Sequence, residues 1–282
     1  MLQEKRVESS CLSIHYYQAG VADSPVILLH GGGTDHALLS WKLTYPALAP
    51  THQVFLPNWP GYGQSAPLRG LYTTDILVGC LGDLMDAWQI ERADFVGVSM
   101  GGGAAIGYTL ANPHRVRQLV LVDSYGLQEK APFHELSYLM VRTPLLMPLS
   151  WALIRYSRWL TKLSIGTIFH DQRAITDELV DDVFAAVRMP ESGRAFYQFQ
   201  RREVRWKRLR TNYLTRLPEL KVPTLLVHGE KDALVPVKWA KMAVELIPDA
   251  RLQVIEQCGH WPQREKPAEF NRILLEFLNR TD

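Results

Sequence analysis

Cysteine is scarce: Cys11, Cys80 and Cys258 are scattered, odd in number and form no C-x-x-C pair. That excludes a disulfide framework and a cysteine-held metal site, and points to a reducing compartment. Excess charge is also missing. With a net charge of +2 the chain has no field of the kind that gathers polyanions along a track, which argues against nucleic acid as a partner. Its one dense basic stretch is Arg201, Arg202, Arg205, Lys207, Arg208 and Arg210, with Glu203, Val204 and Trp206 between; it reads as a solvated helix face. Long apolar runs are absent too. The segment Leu139 to Leu160 is cut by Arg142, Arg155, Arg158, Pro144 and Pro148. Its longest uncharged piece, Thr143 to Ile154, falls short of the roughly 20 residues that cross a bilayer, so stable membrane insertion is not expected and the segment reads as a lid. The first residues, Met1 to Arg6, lead into a strand-like segment without the apolar core of a secretory signal, so a cytoplasmic location is expected. No internal repeat or low-complexity tract is found.

What is present is an alternation of short apolar runs and amphipathic segments. Arg6 to Gln18 suits an edge strand or hairpin. Val26 to Leu29 is a buried strand that stops at His30-Gly31-Gly32-Gly33, and Gln53 to Leu56 is a second that stops at Pro57-Asn58-Trp59-Pro60-Gly61. From Thr73 the residues Ile76, Leu77, Cys80, Leu81, Leu84, Met85 and Trp88 recur at helical steps. A strand at Phe95 to Val98, a small-residue helix at Met100 to Ala111 and a strand at Leu119 to Val122 follow. Between about Tyr125 and Leu217 the alternation lapses into helical spacing without a convincing strand. It resumes at Thr224 to Val227, with a helix near Val237 to Leu246, a strand at Leu252 to Ile255, and a last helix opened by Pro267 that buries Phe270, Ile273, Leu274, Phe277 and Leu278. The pattern predicts an α/β fold: a mostly parallel sheet with helices on both faces, built from residues 1–124 and 218–282, and an inserted helical cap at residues 125–217.

Gly97-Val98-Ser99-Met100-Gly101 lies between a predicted strand and a predicted helix, the context of a nucleophile elbow. Glycines flank the serine because the turn is too sharp for side chains there. A serine hydroxyl needs a base, and of the nine histidines His260 stands in a loop after the last strand, Gln257 to Pro262. The carboxylate that orients it has two main candidates in the order serine, acid, histidine. Asp232 ends the loop Gly229-Glu230-Lys231-Asp232, and Asp123 ends a strand; Asp232 is favoured because its loop is long enough to reach beneath a histidine, and Glu230 is a third choice. The backbone amides of Gly32 and Met100 are the expected oxyanion donors. No cofactor or metal is called for.

These motifs, with Pro60-Gly61-Tyr62-Gly63-Gln64-Ser65 and Gly259-His260-Trp261, in order over almost the whole chain, resemble the α/β-hydrolase superfamily. The resemblance implies a hydrolase with this triad, an eight-stranded core sheet and a cap after the sixth strand. Within the superfamily the chain is most similar to the meta-cleavage product hydrolases, which cut carbon-carbon bonds in dienone acids. His30 to Gly33, Ser99 to Gly102, the cap segment Asp171 to Leu179 and Cys258 to Trp261 carry that likeness. The chain departs from the family at the substrate anchors: Val98 and Trp41 replace asparagines, and Val183 replaces the cap arginine that grips the substrate carboxylate. Arg188 or Arg194 could compensate, although surface placement suits each better.

The residues thus point to acyl transfer through an acyl-serine, on a small hydrophobic carboxylic ester. Gly33, Trp41, Val98, Val183 and Trp261 are the expected substrate-binding positions, and Trp59, Trp151 and Trp159 are expected to line or cover an apolar pocket. Carbon-carbon cleavage of a dienone or diketone is the alternative. A ligand receptor without turnover, and lyase or perhydrolase chemistry on the same fold, are rivals. A homodimer is compatible with the sequence.

Overall fold

A computed structural model describes residues 1–9, 12–189 and 191–280. Eight strands form one sheet: β1 (Gln3–Ser9), β2 (Leu12–Ala19), β3 (Pro25–Leu29), β4 (Gln53–Pro57), β5 (Ala93–Val98), β6 (Val116–Val122), β7 (Thr224–Gly229) and β8 (Ala250–Ile255). Their order is β1-β2-β4-β3-β5-β6-β7-β8. Pairing is antiparallel for β1 with β2 and β2 with β4, and parallel from β4 to β8. The expected hairpin is thus the antiparallel edge of a parallel sheet. Strands β5 and β7 are buried at every position, as a sheet covered on both faces requires.

Two apolar layers cover the sheet. One joins Phe95, Leu119 and Leu121 to Leu77, Leu81 and Tyr108 from helices Thr74–Ala87 and Met100–Ala111. The other joins Val96, Val120 and Val227 to Trp41 and to Phe270 and Leu274 of the final helix. Between β6 and β7 the chain leaves the sheet as a run of short helices, from His134–Arg142 to Arg194–Glu203. Its β structure, among the described residues, is one isolated bridge between Val204 and Leu209. Glu203 ties this insertion to the core. It is buried, accepts from the amides of Thr74 and Thr211 and the Tyr125 hydroxyl, and pairs with Arg210. No disulfide joins the described cysteines, and Cys11 lies outside the described residues. No described helix is long and apolar enough to cross a membrane.

The parallel register positions the site. Beyond the strand ends the ladder continues: Ser99 N donates to Val122 O (2.9 Å), Asp123 N to Val227 O (3.1 Å) and Glu230 N to Ile255 O (2.9 Å). The loops after β5, β6, β7 and β8 therefore open at one carboxyl edge, where ligands bind in open α/β sheets.

Candidate active site

Ser99 sits on the turn from β5 into the helix Met100–Ala111 with φ 51° and ψ −117°, a left-handed strain that presents the side chain at the sheet edge. The positions two residues to either side must be glycine. A Cβ on Gly97 would stand 2.6 Å from Gly101 O, and one on Gly101 would stand 2.5 Å from Leu29 O and 2.6 Å from His30 O.

His260 and Asp232 are joined. His260 Nδ1 lies 2.7 Å from Asp232 Oδ2, and both residues are buried. Asp232 Oδ1 accepts from the amides of Leu234 (2.7 Å) and Val235 (3.0 Å), so the loop after β7 fixes the carboxylate before the imidazole meets it. Although burial pushes the Asp232 carboxyl up, the His260 charge and hydrogen bond outweigh it and bring it down to about 2. His260 is held from the other side by the insertion: its amide donates to Ile168 O at 2.7 Å. Glu265 braces the same loop, accepting from the amides of Gly259, His170 and Asp171. Ser99 and His260 line the same two cavities, and the Ser99 hydroxyl makes no hydrogen bond among the described residues. Catalytic hydrogen bonds in unliganded sites are often long and tighten once substrate binds.

Asp123 makes no described contact with His260, which meets Asp232 instead. It is fully buried; its Oδ1 accepts from Gly229 N (3.0 Å) and its Oδ2 has no partner. Burial first, and then the Asp232 charge, raise the Asp123 carboxyl well above the usual range. Atoms of Asp123, His228 and Asp232 lie within 4.8 Å of one another, so the Asp232 charge opposes ionisation of Asp123. His228 completes the cluster: its Nε2 is 2.7 Å from Val235 O, 3.4 Å from Asp123 and 3.6 Å from Asp232. Burial lowers its pKa and keeps it neutral. Glu230, the third candidate, is turned outward and accepts from Gln257 N.

Among the glycine amides after β3, Gly31 N is already taken by Asp35 Oδ2 at 2.7 Å. The amides of Gly32 and Met100 donate to no described group, as oxyanion donors must. The loop is braced by His30, whose Nδ1 meets Gly31 O (2.8 Å) while its Nε2 accepts from Trp59 N (3.0 Å). Burial drops its pKa to about 3, so it stays neutral.

Two cavities meet at Ser99, His260, Phe196 and Leu234. The first, of about 280 Å³, lies beside Gly31, Gly32 and Gly33 and under Trp151, Ile154, Ile165, Val183 and Trp261. The second, of about 400 Å³, runs beneath the insertion past Tyr125, Gln128, Val141, Phe199 and Leu209. Phe196 stands between them and over the oxyanion loop, where a Cβ on Gly32 would stand 2.4 Å from its ring. Of the expected binding positions, Gly33, Val183 and Trp261 line the first cavity, as does Trp151. Trp41 and Val98 do not. Both are fully buried in the apolar layer, Trp41 against Phe270, because the strand end and the helix Ala37–Trp41 turn them inward. Trp59 is buried behind His30, and Trp159 is exposed to solvent. Arg188 and Arg194 are likewise exposed, stacked on Phe184 and paired with Glu191.

Sequence reading missed Asp35, Phe196 and Glu265. Asp35 is 4% exposed, lines the first cavity and accepts from Gly31 N, His36 N and Ser40 Oγ. Burial pushes it up to about 7. No motif marks it, but a lone Asp two residues after a glycine run that must be held rigid was a usable signal. Among the described residues the first cavity has no Lys or Arg in its lining.

The family model for the α/β-hydrolase fold matches residues 24–267. The chain is 34% identical over 279 residues to a 2-hydroxy-6-oxo-6-phenylhexa-2,4-dienoate hydrolase of Comamonas testosteroni, covering 95% of this chain and 91% of the relative. It is 32% identical to a 2-hydroxymuconate semialdehyde hydrolase of Pseudomonas sp. strain CF600, covering 93% and 89%. Among solved structures it superposes on a meta-cleavage product hydrolase from Pseudomonas fluorescens IP01 with a TM-score of 0.83 and 30% identity, covering 98% of this chain and 97% of that one.

Proposed function

This chain belongs to the α/β-hydrolase fold family and is a hydrolase, and from that premise we propose that Ser99, His260 and Asp232 are its triad and that it opens a carbon-carbon bond beside a ketone, in a dienone or diketone of the meta-cleavage type. His260 takes the Ser99 proton and Oγ bonds to the carbonyl carbon. The oxygen becomes an oxyanion held by the amides of Gly32 and Met100. The tetrahedral adduct collapses with the bond electrons leaving on carbon, and His260 delivers the proton to that carbon. Water, deprotonated by the same imidazole, then frees the acid from Ser99. Asp232 stabilises the imidazolium in each step. The observation that carries this reading is the near full-length similarity to dienoate and semialdehyde hydrolases.

A second reading, hydrolysis of a neutral hydrophobic ester, uses the same steps with an alkoxide as leaving group. It is favoured by the first cavity, whose lining, beside Ser99 and His260, offers Asp35, Thr34, Ser164 and apolar side chains but, among the described residues, no Lys or Arg for a dienoate carboxylate. Side-by-side assays of a dienone acid, its methyl ester and aryl esters of increasing length separate the two. Preference for the dienone acid supports the first reading; turnover confined to the aryl esters overturns it. A fluorophosphonate probe should label Ser99 and not the Ser99→Ala variant. A folded but unlabelled wild type would favour a receptor.

A further inference from the structure

A surface helix of a globular protein normally turns its apolar stripe inward. The helix Leu146–Tyr156 turns Trp151 and Ile154 inward but carries a second apolar side outward. It has no buried residue, and Leu146, Leu149, Leu153 and Tyr156, at steps that place them on one side, are 41–84% exposed. Its packed neighbours continue the face with Leu136, Leu139 and Met140 on His134–Arg142, and Trp159 and Leu163 on Arg158–Gly166. Phe133 and Leu145 at the connections are also exposed. So many large apolar side chains together mark a surface that is covered by something.

The charge around the face indicates by what. Residues 125–217 hold fifteen Lys and Arg against nine Asp and Glu, whereas the rest of the chain holds sixteen against twenty. A net charge of +2 therefore conceals a basic cap on an acidic core. Residues 131–166 carry Arg142, Arg155, Arg158 and Lys162 against Glu135 alone, with Arg158 paired to Asp177 and Asp181 of the helix Asp177–Val187. Arg142 reaches from this face to the carbonyl of Arg201, at the edge of a groove of about 820 Å³ lined also by Arg194, Arg202, Arg205 and Arg210. Arg201, Arg202 and Arg205 have no acidic partner among the described residues.

We propose that this exposed face of the cap, with the arginine groove beside it, docks the protein on an anionic lipid bilayer. A second copy fits less well, because a two-fold contact would set two basic faces against each other. An anionic bilayer complements both features at once: apolar side chains enter the headgroup boundary, Tyr156 and Trp159 suit that depth, and arginines meet lipid phosphate. The helices lie on the surface, since none of those described can span it.

Vesicle co-sedimentation of the full-length protein tests this, using phosphatidylcholine with and without phosphatidylglycerol. The expected result is at least about tenfold stronger partition onto the phosphatidylglycerol vesicles, weakened by salt. The Leu149→Glu/Leu153→Glu and Arg201→Glu/Arg205→Glu variants should each lose about tenfold, with circular dichroism unchanged. Absence of binding to either vesicle would overturn the proposal, as would binding indifferent to these variants. A concentration-dependent dimer in analytical ultracentrifugation, abolished by the leucine variant in a protein that ignores vesicles, would assign the face to a second copy instead.

Discussion

Asp123 and Asp232 are both carboxylates at the end of a strand or in the loop beyond it, yet their surroundings separate them. Asp232 receives two backbone amides and an imidazole, which favour its charged form; Asp123 has one amide, and burial and the Asp232 charge oppose its ionisation. Asp232→Ala should therefore lower kcat by about 10³- to 10⁴-fold. Asp123→Asn should cost less than about tenfold; equal losses would show that the two acids share the role. Asp35 gives a pH dependence of stability. Its folded pKa of about 7 lies above the unfolded value, so its contribution is full below about pH 4 and is lost as pH rises through 7. The unfolding free energy of the wild type, from urea titrations, should fall between about pH 5 and about pH 8.5 by an amount on the order of a few kcal/mol, and Asp35→Asn should flatten that slope. An unchanged slope would mean that Asp35 is ionised at little cost.

Elements act here by how closely they approach. The helix Met100–Ala111 starts against β3 and β5 only because its first turn carries glycines; Gly101→Ala would drive a methyl into two backbone carbonyls that cannot move independently. We expect loss of about 3 kcal/mol or more, or insoluble protein, measured by urea unfolding. Phe196, from the insertion, closes on the oxyanion loop and separates the two cavities. Phe196→Ala should merge them and move the substrate optimum toward longer acyl or leaving groups, read as a change in the order of kcat/KM across an aryl ester series. An unchanged order would mean that substrate uses one cavity only.

Across the whole molecule, the inserted helices and the sheet meet through apolar side chains such as Phe199 and Leu209 and at buried polar points. Glu203 is the densest, with two amides, a tyrosine hydroxyl and Arg210 on one carboxylate. Its replacement by alanine leaves the two amides and the Tyr125 hydroxyl without their partner, while Arg210 keeps Asp75, so Glu203→Ala should lose about 3 kcal/mol. Glu203→Gln should lose less. Thermal unfolding that shows the cap melting first would place the seam there.

The order of strands and helices was legible in the sequence because apolar period and glycine punctuation are local properties: Met100–Ala111 and the five buried residues of the final helix were readable from spacing alone. Ser99 and His260 were legible for a related reason, since an elbow glycine pattern and a loop after the last strand are each written in a few consecutive residues. Which of two acids meets the histidine, where Trp41 and Val98 point, and that Asp35 and Phe196 enclose the site depend on contacts between residues far apart in the chain. Those were decided only when the parallel register brought four strand ends to one edge and the cap folded down over them.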